Sequence, residues 1–280
     1  MAERGIRARL YSELRAARRH RSLTQAADRL RGAVALEPGG LSALFGRLGL
    51  VPVYSRLAAL DTLDFAERTL WSGTDDAGIE PRRRIIGEAA RLEGVADRSY
   101  DAVLASHVLE HLADPLGALS EWKRVVRPGG HILLVVPHRD GTFDHRRPVT
   151  TLEHLRQDAR LRMGEDDRSH VPEIIALHDL ERDPSAPNRD VFEQRCRDNP
   201  STRAVHHHVF ITRTVAETCR EAGLLPLLLR AELPFNIVCL CRVDAGADKR
   251  AVDVDEPQLL ECLRASPFAS DRRDAPARRS

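Results

Sequence analysis

Residues 100–137, YDAVLASHVLEHLADPLGALSEWKRVVRPGGHILLVVP, restrict the fold more than any other part of the chain. Residues 100–105, YDAVLA, read as a clear strand. The stretch that follows repeats apolar residues at 108, 109, 112, 116, 119, 122, 125 and 126, a helical spacing. Arg127-Pro128-Gly129-Gly130 stops the helix, and residues 131–137 read as a second buried strand. Strand, helix and strand in this order imply parallel strands with a helix packed on the sheet.

The rest of the chain extends that pattern. Residues 8–31 carry leucines and alanines at helical spacing and read as one or two helices. Residues 33–37 read as a strand running into Gly39-Gly40. Residues 48–54 hold a short apolar stretch broken by Pro52, and 83–87 read as a short strand. A helix is expected near 213–222, with Gly223 at its end. Residues 224–231 and 235–243 follow as two strands, close enough in sequence to pair antiparallel.

Between them, residues 138–208 are polar, charged and rich in Asp, Arg and His. Seventy such residues exceed an ordinary loop, so they are expected to form a lid or substrate insertion. The domain expectation is a helical extension over 1–32, an α/β domain over 33–245 containing the 138–208 insertion, and a C-terminal extension over 246–280 with a disordered tail.

Composition excludes several classes. Apolar residues make up 42%, charged residues 30%, and the net charge is +1, so no global field draws nucleic acid. Residues 1–32 hold nine Arg against three acids, but the chain has only two lysines, Lys123 and Lys249, so arginine is its general base. No apolar run reaches the roughly 18 residues of a membrane span. The first residues have a basic start without an apolar core, and the five cysteines form no C-x-x-C pair. A reduced, cytoplasmic protein is expected, with no nucleic-acid or membrane partner. Cys239 and Cys241 are expected to share one strand face.

Taken together, the central block resembles the fourth strand, helix and fifth strand of class I methyltransferases that use S-adenosylmethionine. The resemblance rests on Tyr100-Asp101, Ser106-His107-Val108-Leu109-Glu110-His111, Asp114-Pro115 and Arg127-Pro128-Gly129-Gly130, in order. It extends more weakly to GEAARL at 87–92. LEPGGLS, LDTLDFAERTLWSG, GTFDHRRPVTTLEHL and HHHVF resemble a subgroup often found near sugar and secondary-metabolite pathways. It covers roughly residues 30–245. The fold implied is a Rossmann-like seven-stranded sheet with the lid between strands 5 and 6.

The resemblance also implies a site. S-adenosylmethionine would lie over Glu37, Gly39 and Gly40, Asp61, Glu88, Ala89, Ser106 and His107. Glu88 would accept from the adenine amino group, which requires an acceptor. Asp61 would accept from the ribose hydroxyls, with Asp64 as runner-up. Pro38 departs from the family pattern and removes a backbone donor, and Leu41 stands where proline is usual. The implied activity is methyl transfer to a small polar metabolite, with oxygen the preferred acceptor atom. A hydroxyl acceptor needs a base or a metal to take its proton. His107, Asp144, His145 and His207 are the catalytic candidates, and one ring of His206-His207-His208 is expected to face the site. His138, Arg146 and Arg147 are the substrate-binding candidates, through bidentate hydrogen bonds in the case of the arginines.

Two other functions remain open at this stage. The altered first loop fits a methyltransferase-fold protein that catalyses or supports another step, such as an intramolecular displacement or cyclisation. HVLEH at 107–111 also matches H-x-x-E-H, a zinc hydrolase motif if both histidines share a helix face. No metal-ligand set is assigned. A homodimer or a pathway partner is compatible with the chain.

Overall fold

In the computed structural model, residues 20–70, 79–244 and 254–276 are described. Seven strands form one sheet: β1 (Val34–Pro38), β2 (Ala59–Asp64), β3 (Arg83–Ile86), β4 (Tyr100–Ser106), β5 (Val126–Pro137), β6 (Leu224–Glu232) and β7 (Asn236–Val243). Their order is 3-2-1-4-5-7-6. The first five run parallel, and β7 runs antiparallel to both β5 and β6. This is the Rossmann-like sheet expected. The order reverses between β1 and β4, so a crevice opens there at the C-terminal ends of the strands.

Apolar residues alternate across the strands and feed a core on each face. Ala102, Leu104, Leu133 and Val135 pack toward helix α1 (Arg21–Arg29). Val103, Ala105, Ile132 and Leu134 pack toward Trp122 of α2 (Pro115–Val125) and toward α7 (Thr212–Glu221). Of the expected N-terminal helices, only Arg21–Arg29 lies within the described residues.

Several expectations need correction. The helix read from residue 108 begins only at Pro115. Proline lacks an N–H and disfavours helix before it, and the Asp114 side chain caps the start by accepting from the Gly117 N–H at 2.8 Å. The apolar stretch at 48–54 forms turns and bends, and the second strand, Ala59–Asp64, follows it. In the tail read as disordered, 266–280, the described part up to 276 contains the helix α9 (Ala269–Asp274), which follows α8 (Glu256–Ala265). Asp271 anchors it, accepting from the Thr212 N–H and hydroxyl at 3.0 and 2.6 Å.

Between β5 and β6 the chain forms α3 (Leu152–Leu161), α4 (Val171–Leu177), α5 (Arg189–Arg197) and the single turn α6 (Asn199–Thr202) before reaching α7. Ile174, Ala186, Phe192, Cys196 and Val205 give part of this segment a small apolar cluster of its own. Among the described residues, no helix is long and apolar enough to cross a membrane.

Candidate active site

A cavity of about 1200 Å³ opens at the crevice between β1 and β4. That exceeds the roughly 300–1,000 Å³ of a typical ligand pocket, so it has room for two ligands. One half is lined by the loops at the strand ends, the other by residues 165–206.

The strand-end half begins with the glycines. Gly39 and Gly40 have φ +88° and +81°, a region that disfavours side chains. A Cβ at Gly39 would overlap Val108, and one at Gly40 would lie 2.7 Å from Asp64 Oδ2. The backbone therefore passes close to β4 and β2, leaving bare peptide at the cavity wall. Pro38 ends β1 beyond the residues that pair with β4, and it does not line the cavity. Leu41 does. Glu37 is fully buried and is likewise absent from the wall, which corrects its expected ligand contact. Its carboxylate accepts from the Tyr54 hydroxyl at 2.9 Å, and that oxygen accepts from the Ser42 N–H at 2.7 Å. Glu37 thus fixes the loop from beneath. Ser42 Oγ also donates to Ser106 Oγ at 3.0 Å, tying the β1 loop to the end of β4.

Asp61 is the main correction in this half. It lies inside β2, with no exposure. Arg82 donates to both of its oxygens at 2.9 and 2.8 Å, and the Tyr100 hydroxyl adds a third bond at 2.7 Å. Burial alone would raise its pKa, but these bonds and the Arg82 and Arg83 charges hold it below the usual range. Fully buried and away from the cavity wall, Asp61 is out of reach of a ligand there. Asp64 ends the strand and lines the cavity, and burial raises its pKa to about 6. In a strand, side chains alternate faces, so residues three apart point opposite ways.

Glu88 and Ala89 line the same half. Glu88 Oε1 accepts from Arg203 Nη2 at 2.8 Å, and the side chain remains 44% exposed, so its second oxygen is open to a ligand. The Ala89 carbonyl accepts from Trp122 Nε1 at 2.8 Å. His107 stands at the end of β4 with φ +54°, an uncommon conformation for a non-glycine residue that concentrates at functional sites. Its Nε2 pairs with Asn236 Oδ1 at 3.0 Å, and burial lowers its pKa to about 4. At neutral pH His107 is an uncharged wall residue and a weak base.

The other half holds the titratable groups, and the sequence assigned them differently. His206, not His207, is the member of the triple histidine that lines the cavity. Its Nδ1 lies 2.5 Å from Asp144 Oδ2. Burial opposes a charge on His206, but Asp144 and Glu110 outweigh it and raise the pKa. Asp144 itself stays ionised: burial opposes this, but His206 and Arg147 hold its pKa down. His111 also lines the cavity and lies beside His206, ring centroids 4.7 Å apart. Fully buried Glu110 sits beneath them, its pKa raised to about 7 by desolvation.

The remaining candidates fall away from the cavity. His145 pairs with Asp179 at 2.7 Å, and Arg146 joins that acid at 3.3 Å, half-exposed on the outer side. Arg147 is 1% exposed and binds Glu173, Asp144 and the carbonyls of His206 and His207. It braces the dyad rather than a substrate. His138 is fully buried, stacks on Phe268 and lies 3.2 Å from Asp271. His207 is 1% exposed and faces Asn199. HVLEH is not helical: His107 has left-handed φ, and only Leu109–His111 form a turn. The two histidines do not present one helix face to a metal.

Two cations that reading missed do reach the cavity. Arg203 bridges to Glu88 and covers the Phe65 ring at 5.6 Å, and Arg195 binds Asp183 and Ser185. Nothing in their local sequence separates them from the many surface arginines of this chain.

Residues 52–134 match the family model described as a methyltransferase domain. A phosphatidylethanolamine N-methyltransferase of Cereibacter sphaeroides is 30% identical over 88 residues, 30% of this chain and 43% of that protein. An uncharacterised 37.1 kDa protein of a Streptomyces fradiae transposon is 44% identical over 50 residues, 18% of this chain and 14% of that one. The chain thus spans less than half the length of the curated relatives it matches. Among solved structures, an S-adenosylmethionine-dependent methyltransferase of Aquifex aeolicus superposes with TM-score 0.43 at 12% identity, covering 79% of this chain and 88% of that one. The 1,6-didemethyltoxoflavin-N1-methyltransferase of Burkholderia thailandensis, with bound S-adenosylhomocysteine, gives 0.44 at 16% identity, covering 80% and 79%. The match to the methyltransferase domain thus runs from β2 into β5 of the sheet.

Proposed function

We propose that this protein transfers a methyl group from S-adenosylmethionine to a small polar acceptor bound in the other half of the same cavity. The observation that carries the reading is Asp64. It stands at the end of β2, against the Gly39–Gly40 turn, where its carboxylate can accept both ribose hydroxyls. The bare peptides of Gly39 and Gly40 suit the aminoacyl tail, and the second oxygen of Glu88 suits the adenine amino group. Pro38 stays out of the cavity, so its lost N–H does not weigh against this cofactor. Bound there, S-adenosylmethionine supplies an electrophilic methyl group for in-line displacement.

The chain's own residues then serve the acceptor. His206 takes the acceptor proton on Nε2 while Asp144 holds Nδ1–H, an arrangement that keeps the ring in one tautomer. His107, Phe235 and Leu112 exclude water from the junction of the two halves. Arg203 and Arg195 favour an acceptor bearing an anionic or strongly polar group, such as a sugar or a biosynthetic acid, with methylation on oxygen.

Calorimetry with S-adenosylhomocysteine tests the cofactor half, with micromolar binding expected for the native chain and marked weakening in Asp64→Asn. Failure to bind at millimolar ligand would overturn the cofactor assignment. Methylated product formed from a panel of hydroxylated anions, and lost in His206→Gln, tests the acceptor half.

A further inference from the structure

We propose that His154, Asp158, His170 and His208 hold one divalent transition-metal ion of the zinc class, which staples α3 to the start of α4 and to the segment that carries His206. The four residues come from three places. His154 and Asp158 lie four apart on α3, so they share a face. His170 immediately precedes α4, and His208 belongs to the stretch leading to α7. One ligand atom from each falls within 4.8 Å of every other.

The spacing suits a tetrahedral ion. Zn–N bonds of about 2.0–2.1 Å and Zn–O bonds of about 2.0–2.2 Å place tetrahedral ligand atoms roughly 3.3–3.6 Å apart. His154 Nε2 lies 3.3 Å from His170 Nε2 and 3.3 Å from Asp158 Oδ2, and His208 Nε2 lies 3.8 Å from the same oxygen. Three imidazoles and one carboxylate are a donor set for zinc rather than for magnesium or calcium.

Hydrogen bonding alone leaves this cluster unsatisfied. Asp158 is buried, and its Oδ2 has no hydrogen-bond partner among the described residues. A buried oxygen without a donor is costly. His208 Nε2 has only the Ala113 carbonyl, at a long 3.4 Å. Each neutral imidazole has one N–H and one lone pair, so the facing nitrogens of His154 and His170 share at most one proton. Protonating both rings would place two positive charges side by side. A single cation meets the lone pairs and the carboxylate together.

The neighbouring acid is less suited. Asp167 lies 3.8 Å from His170 Nε2, but its two oxygens already accept from the Ser169 N–H and hydroxyl at 2.9 and 2.8 Å. His207, 3.9 Å from Asp167, then packs behind the ion's ligands. With four protein ligands the site is closed, which marks a structural rather than a catalytic ion. Its consequence falls on His206, two residues from His208, whose position beside Asp144 would be held by the ion.

Elemental analysis of protein purified with zinc and then desalted tests the site. About one zinc per chain is expected. His154→Gln and Asp158→Asn should each weaken zinc binding by more than the roughly 10- to 100-fold that outer-shell changes cost. Histidine side-chain nitrogen NMR of the native chain gives a readout that needs no folded variant: three rings should move on adding zinc to chelator-treated protein. Absence of tight zinc binding by the native chain, or no shifted ring, overturns the proposal. So does zinc retained in both variants but lost from Glu110→Gln or Asp167→Asn, which would place the ion elsewhere.

Discussion

The two halves of the cavity are built by different means. The strand-end half is shaped by backbone: two glycines at positive φ, a left-handed His107 and short loops after parallel strands. Its few side-chain bonds, such as Glu37 to Tyr54 and Ser42 to Ser106, serve to hold those loops. The half formed by residues 138–208 is shaped by charge pairing. Asp144 lies between His206 and Arg147, and Arg147 reaches two carbonyls of the histidine run. A cofactor common to many enzymes needs a fixed peptide surface. An individual acceptor needs placed acids, bases and cations.

Breaking a pair in the second half should have the largest effect. Arg147→Met leaves Asp144 buried without its guanidinium, which should cost about 3–5 kcal/mol of stability by chemical denaturation. Were Arg147 a substrate ligand instead, its loss would raise KM and spare the fold. His206→Gln should lower kcat by about 10²- to 10⁴-fold while the affinity for S-adenosylhomocysteine stays unchanged. Equal losses in both would show that the halves are not separable.

In the first half, Asp64→Asn should weaken S-adenosylhomocysteine by about 10- to 100-fold, the effect of losing charge-assisted bonds. The native pH dependence has a definite sign. Burial raises the Asp64 pKa to about 6, so the ionised acceptor is present above that value and is lost as pH falls through it. Affinity should therefore decline below about pH 6, and Asp64→Asn should flatten the decline. The smallest effect is expected at His107. With a pKa near 4 it is uncharged across the working range, so His107→Gln should change the pH–rate profile little. A profile that loses its acidic limb in that variant would return the role of base to His107.

How much of this was legible in the sequence differs between the halves. The strands and helix at 100–137 and the strand pair at 224–243 were legible from local patterns, whereas the order of all seven strands was seen only in the structure. Gly39, Gly40, Ser106 and Glu88, expected from the resemblance, line the cavity. Of the two acids considered on β2, the preferred one, Asp61, is buried, and the runner-up, Asp64, lines the cavity. AALDTLD has two aspartates, neither period nor propensity marks where the strand ends, and an odd step along a strand changes the face. Asp61 therefore turned out to be a buried partner of Arg82, and Asp64 the cavity residue.

The sequence by itself pointed to parallel strands and to the glycine turn, since strand–helix–strand alternation and a Gly-Gly pair after a strand are local patterns. Only the tertiary structure decided which histidine of the run faces the cavity, and that Arg147 and His138 are internal braces. His206, His207 and His208 are chemically identical. Their roles depend on Asp144, Asn199 and Asp158, which lie 62, 8 and 50 positions away and are brought together only when the helices between β5 and β6 pack.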